Sequence, residues 1–79
     1  MDRVTAGYKA GWNDTVYGID TYTGCSSGLT LDEWVLMMKR LATRLLEEPG
    51  RARSNDDYCH GCRDVCLRYL EGRRSERME

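Results

Sequence analysis

Residues 30–50, TLDEWVLMMKRLATRLLEEPG, decide the fold class. The stretch opens with a capping box: the Thr30 hydroxyl can accept from the Glu33 amide while the Glu33 side chain reaches back to Thr30. Asp32 and Glu33 also put negative charge at the positive end of the helix dipole. Leu31, Trp34, Val35, Met38, Leu41, Ala42 and Leu45 then recur at helical spacing. They form one apolar stripe, with Lys39, Arg40, Thr43, Arg44 and Glu47 on the other side. Pro49-Gly50 ends the helix, because proline pushes Glu48 out of the helical conformation and brings no amide of its own.

Working outward toward higher numbers, a second helix follows a loop over residues 49–53. Ser54, Asn55 and Asp56 are all competent N-caps. Tyr58, Cys62, Val65, Cys66, Tyr69 and Leu70 mark one face, and Asp57, Asp64, Arg68 and Glu71 the other. Gly61 weakens the first turn, so regular helix is expected only from there. Gly72 suits a C-terminal stop. Residues 73–79 are highly charged and are expected to fray.

The first third reads two ways. Val4, Tyr8, Trp12, Val16 and Ile19 keep helical spacing, and Gly7 and Gly11 would let a partner helix come close. Against that, Gly7, Gly11 and Gly18 each cost a helix about 1 kcal/mol. Residues 15–23 are rich in β-branched and aromatic side chains, and Asn13-Asp14 can turn a hairpin. A helix over residues 2–16, loosening into a loop through Gly28, is the preferred reading, with a β-hairpin as the alternative. The expected fold is a mainly α, single small three-helix domain over residues 1–79.

Composition narrows the function classes. Seventy-nine residues at 41% hydrophobic and 32% charged fit an ordinary small globular chain. No apolar run approaches the length of a membrane span. The first five residues, Met1-Asp2-Arg3-Val4-Thr5, lack a signal-peptide layout, so the expected location is cytoplasmic. Twelve basic residues against thirteen acidic ones leave a net charge of −1. That removes the general positive field of a nucleic-acid binder. Seven arginines (Arg51, Arg53, Arg63, Arg68, Arg73, Arg74 and Arg77) fall in the last third, but nearby carboxylates nearly cancel them.

Cys59-His60-Gly61-Cys62-Arg63-Asp64-Val65-Cys66 is the one segment with chemical content. A Cys-x-x-Cys step leading into a helix is how many zinc knuckles begin, and Cys25 or His60 can complete a set with Cys59, Cys62 and Cys66. Such a site would act as a staple in so short a chain. Three alternatives stay open: core thiols, a zinc site, or a disulfide from Cys25. An unbroken helix separates Cys59 and Cys66 by about 10 Å along its axis, too far for one tetrahedral ion. Cys62 and Cys66 also fall on the stripe of their helix, where cysteine behaves as a small hydrophobe. No catalytic constellation is visible: adjacent Cys59 and His60 point apart, and no phosphate loop or nucleophile elbow occurs.

Leu36 falls nearly opposite the centre of the middle helix's stripe, Met37 lies at its margin, and Leu67 is off the stripe of the last helix. Together with Arg40 and Arg68, they suggest a partner-binding surface, since aromatic and arginine side chains are the usual interface anchors. The expectation is a non-enzymatic protein-binding module. In size and character, with ten arginines to two lysines, the chain is similar to small inhibitors encoded by phages and mobile elements, such as anti-CRISPR proteins. The likeness is one of style, carried by no specific residues, and implies steric occupation of a larger host protein complex. A homodimer is a further expectation. The alternative is a zinc-stabilised regulator binding nucleic acid through the late arginines; no membrane partner is expected.

Overall fold

The computed structural model describes residues 4–24, 28–48 and 56–79. Three helices follow one another: α1 (Ala6–Asp20), α2 (Leu31–Glu47) and α3 (Asp56–Leu70). Among the described residues there is no strand, and no helix is long and apolar enough to cross a membrane. The last helix, α3, is the middle of the arrangement and packs along both α1 and α2.

The capping box forms as the sequence dictates. The Thr30 hydroxyl accepts from the Glu33 amide at 3.2 Å, and the Thr30 amide donates to the Glu33 carboxylate at 2.8 Å. At the far end Glu48 is extended, with φ −75° and ψ 126°, the conformation a following proline imposes. Pro49 and Gly50 themselves, and the expected caps Ser54 and Asn55, lie outside the described residues. Val35 and Ala42 are buried against the α3 cysteines, with Leu31, Trp34, Met38 and Leu45 packed around them. Leu41, expected in this stripe, is instead exposed, and Leu46 packs in its place. Only α3 covers α2 along its length, so the buried arc is narrower than the apolar arc and is centred between Val35 and Ala42.

The first element is a helix, and it starts and ends later than residues 2–16. Thr5 caps it by accepting from the Tyr8 amide at 3.1 Å, and the helix runs on through Val16, Gly18 and Ile19 to Asp20. Tertiary packing overrides the poor local propensity here. Gly7, Gly11, Thr15 and Gly18 make a small-residue stripe. A Cβ at Gly11 would lie 2.0 Å from the Tyr58 carbonyl oxygen, and one at Gly61 would lie 2.2 Å from that of Tyr8. The backbones of α1 and α3 therefore touch, which only paired glycines allow. This is also why α3 passes unbroken through Gly61 instead of starting there. At Gly18 the missing side chain makes room for the Trp34 ring of α2.

Because α3 is sandwiched, its buried arc is broad and takes in Cys59, Gly61, Cys62, Val65 and Cys66. Tyr58 and Leu70, expected on the buried face, lie at its edges and are exposed. Gly72 stops the helix with φ +82°. Its amide donates to Tyr69 and that of Arg73 to Arg68, at 2.9 and 2.8 Å. This is the paired bonding of a Schellman cap.

Residues 73–79, expected to fray, return along α1. The Asn13 carboxamide pairs with both backbone groups of Met78, donating at 2.9 Å and accepting at 2.7 Å. The Trp12 indole donates to the Glu76 carbonyl at 2.7 Å. Charge alone suggested a solvated tail; the two α1 side chains supply backbone partners that sequence position does not reveal.

Candidate functional site

Along the side of α2 facing away from α3, Glu33, Leu36, Met37, Arg40, Leu41 and Arg44 line a shallow groove. Met37 and Leu41 are 45% and 44% exposed, and Leu36 is half-buried between the groove and the rest of the helix. The apolar patch is ringed by one carboxylate and two guanidinium groups. Glu33 is held in place by the capping box that uses one of its oxygens, which leaves its other acceptor sites for a partner.

Of the five side chains expected to meet a partner, the groove brings together Leu36, Met37 and Arg40. Leu67 and Arg68 lie on α3, outside it. Leu67 is half-buried. Arg68 is engaged within the chain: its guanidinium carbon sits 5.7 Å from the Trp12 ring centre, and its Nε donates to the Ser75 hydroxyl at 2.9 Å. Glu33, Leu41 and Arg44 belong to the groove and escaped the sequence reading. The signal was present in the Met37–Leu41 and Glu33–Met37 spacings of four, but Leu41 had a ready place in the core stripe.

Cys59, Cys62 and Cys66 occupy the core. Cys62 and Cys66, one turn apart, are 5% and 0% exposed and pack with Cys59 against Val35 and Ala42. The Cys66 thiol donates to Cys62, which holds the Cys66 proton on and draws the Cys62 thiol down; burial pushes both up. Among the described residues no three His, Cys, Asp or Glu side chains converge as a metal site needs, since the unbroken α3 keeps Cys59 and Cys66 apart. Cys25, the fourth expected ligand, lies outside the described residues, as do Arg51 and Arg53 of the late arginines. His60 is exposed on α3, while Cys59 beside it is buried.

A second, larger groove of about 660 Å³ lies where the ends of α1 and α3 meet the start of α2. Its floor is Val16, Ile19, Leu31, Val65 and Leu70, and its walls carry Asp20 and Asp32 as well as Arg73 and Arg74. Several of those polar groups already have partners. Asp32 accepts from the Tyr69 hydroxyl at 2.6 Å, which raises the tyrosine's pKa, and Arg73 lies 3.7 Å from Glu71. With both signs of charge on its walls, this groove selects no ligand class.

Comparison with known proteins returns nothing that assigns a role: no family model matches the chain, and no curated protein or solved structure matches it.

Proposed function

We propose that this chain is a non-enzymatic protein-binding module that docks through the outer face of α2. The observation that carries this is the pairing of exposed Met37 and Leu41 with Leu36 on a helix whose opposite face already fills the core. Apolar side chains that are not needed for folding, framed by charges that fix orientation, are the makings of an interface centre and rim. In its finer form the docking is steric: the face covers a site on a larger complex, in the manner of a small phage or mobile-element inhibitor. The buried Cys62 and Cys66 thiols offer no nucleophile to a substrate, which favours binding over catalysis. The zinc-stabilised, nucleic-acid-binding alternative has less support, with Cys59, Cys62 and Cys66 in the core and Arg68 stacked on Trp12.

The test is a Met37→Asp, Leu41→Asp double variant. Both positions are solvent-facing, so unfolding free energy changes by about 1 kcal/mol or less in chemical denaturation. Association of the purified chain, and recovery of any protein that copurifies with the unaltered chain from its source cells, is lost. Undiminished association in a folded double variant overturns the proposal.

A further inference from the structure

Among the described residues, the hydrogen bonds that seat residues 75–78 all come from side chains of α1 and α3. The Trp12 indole donates to the Glu76 carbonyl at 2.7 Å. The Asn13 carboxamide donates to the Met78 carbonyl at 2.9 Å and accepts from the Met78 amide at 2.7 Å. Arg68 Nε donates to the Ser75 hydroxyl at 2.9 Å. Three of these bonds read backbone, and they read it at positions two apart. An extended chain presents the carbonyl of one residue, and both groups of the residue two further on, along a single edge. The planar Asn13 carboxamide, with its acceptor beside its donors, meets that edge as the peptide group of a neighbouring strand does.

The seat is built by helix packing and does not depend on the tail. Trp12 stacks on Tyr8 with ring centres 6.1 Å apart, and the Arg68 guanidinium carbon lies 5.7 Å from the Trp12 ring centre. Tyr8 is tied in turn to Asp64 of α3. Trp12, Asn13 and Arg68 thus stand on two helices joined backbone to backbone at Gly11 and Gly61. Beyond Gly72 the chain forms neither helix nor strand, and Glu76, Arg77 and Glu79 are exposed. A segment with no hydrogen-bond ladder of its own opens at low cost. The seat it leaves stays preorganised.

We infer that Trp12, Asn13 and Arg68 form a binding site for an extended peptide segment of a partner protein, and that residues 75–78 are its occupant in cis. The bound tail shows what the site selects. Ser75 and Met78 are half-buried, while Glu76 and Arg77 face solvent. The segment it takes therefore carries a hydroxyl at its first position and a long apolar side chain at its fourth. Backbone bonds hold it between the two. Tryptophan and arginine, paired here, are the side chains that dominate binding at interfaces. The site lies on α1 and α3, away from the outer face of α2, and stands whether or not that face docks a protein. Joined to the Gly72 stop through residues 73 and 74 alone, the tail acts at an effective concentration of the order of 1 mM. A partner segment displaces it only by binding more tightly than the tail does. The tail sets that threshold.

The test uses the full chain and a peptide that copies residues 73–79. Met78→Pro removes the amide that Asn13 accepts from and vacates the site, with helicity by circular dichroism unchanged. Because the tail is seated at a millimolar effective concentration, the vacated site takes the peptide with a dissociation constant below about 1 mM. Binding is read as a saturable shift of the Trp12 indole N–H resonance. In the unaltered chain the tail competes, and the same peptide binds about threefold more weakly or worse. Adding Asn13→Ala to Met78→Pro weakens binding about tenfold, as does methylation of the peptide at the Met78 nitrogen. No saturable shift up to about 5 mM peptide, in a helical Met78→Pro chain, overturns the inference. Equal binding by the Asn13→Ala, Met78→Pro chain or by the methylated peptide also overturns it, since charge rather than the backbone edge then drives association. If Met78→Pro unfolds the chain, the unaltered protein decides. Excess peptide must speed amide exchange at Met78, and an unchanged rate overturns the inference.

Discussion

The two helices that flank α3 are joined to it by opposite means. Between α1 and α3 the seam is backbone on backbone, made by Gly11 and Gly61 and fastened by two reciprocal hydrogen bonds. The Tyr8 hydroxyl of α1 donates to Asp64 of α3, and the Tyr58 hydroxyl of α3 donates to Asp14 of α1. Between α2 and α3 the seam is a layer of side chains, Val35 and Ala42 against Cys59, Cys62 and Cys66. Their outer surfaces differ in the same sense. The Trp12 and Asn13 side of α1 is covered by the chain's own residues 76–78, whereas the outer side of α2 keeps Met37 and Leu41 in solvent. Close backbone contact needs steric exactness and consumes hydrogen-bonding capacity within the chain. A side-chain seam on one face of a helix leaves the other face available.

The largest effect should come from filling the glycine seam. Gly61→Ala drives a methyl group against the Tyr8 carbonyl oxygen, and backbone cannot swing aside as a side chain does. A loss of about 3 kcal/mol or more in urea unfolding is expected. Gly7→Ala, whose new carbon would sit 3.2 Å from the Asp57 Cβ, should cost well under half of that. On the other seam Val35→Ala removes about two methylene equivalents from a fully buried site and costs about 2 kcal/mol. A Gly61→Ala loss no larger than that of Val35→Ala would erase the distinction between the seams.

A smaller effect follows from uncovering α1. Asn13→Ala removes both hydrogen bonds to Met78 and should lower stability by about 1 kcal/mol. The diagnostic result is local: faster amide hydrogen exchange at Met78, with Val35 and Val65 amides changed only as far as global stability changes. Unchanged exchange at Met78 would mean that the tail is not held as the structure places it.

The smallest effect is absent at neutral pH. Burial first, and then the bond to Asp64, push the Tyr8 hydroxyl up to about 12. At Tyr58 the bond to Asp14 leads, with burial second, and the result is again about 12. A pKa higher in the folded chain than its ordinary value near 10 contributes stability that is complete below pH 10 and is lost as pH rises toward 12. Thermal melts should therefore fall between pH 10 and 12 alongside tyrosinate absorbance. In a Tyr8→Phe, Tyr58→Phe variant that fall should shrink, while a melt indifferent to pH across this window would show that the reciprocal bonds do not fasten the α1–α3 seam.

Much of this was legible in the sequence, for reasons that differ by element. The middle helix was readable residue by residue because its cap, stripe and proline stop are local signals that agree. At Leu41 that agreement misled: the stripe is an upper bound on burial, and how much of it is covered depends on how many neighbours the helix has. Leu36, Met37 and Arg40 were visible as a surface candidate because they lie off the stripe's centre. The other half of the groove, Glu33, Leu41 and Arg44, had local explanations as cap, core and solvated charge.

What the sequence determined by itself is therefore the helical class, the α2 boundaries and the spare apolar side chains on that helix, all set by interactions within a few residues. Tertiary structure alone decided that α1 is a helix through Gly18, that α3 passes unbroken through Gly61, and that Cys59, Cys62 and Cys66 lie in the core between helices. It also decided that residues 76–78 return to Asn13 and Trp12. Each of these turns on contacts between positions far apart in the chain. A glycine that is a liability within its own helix becomes the condition for two backbones to meet, and only the assembled fold supplies the second backbone.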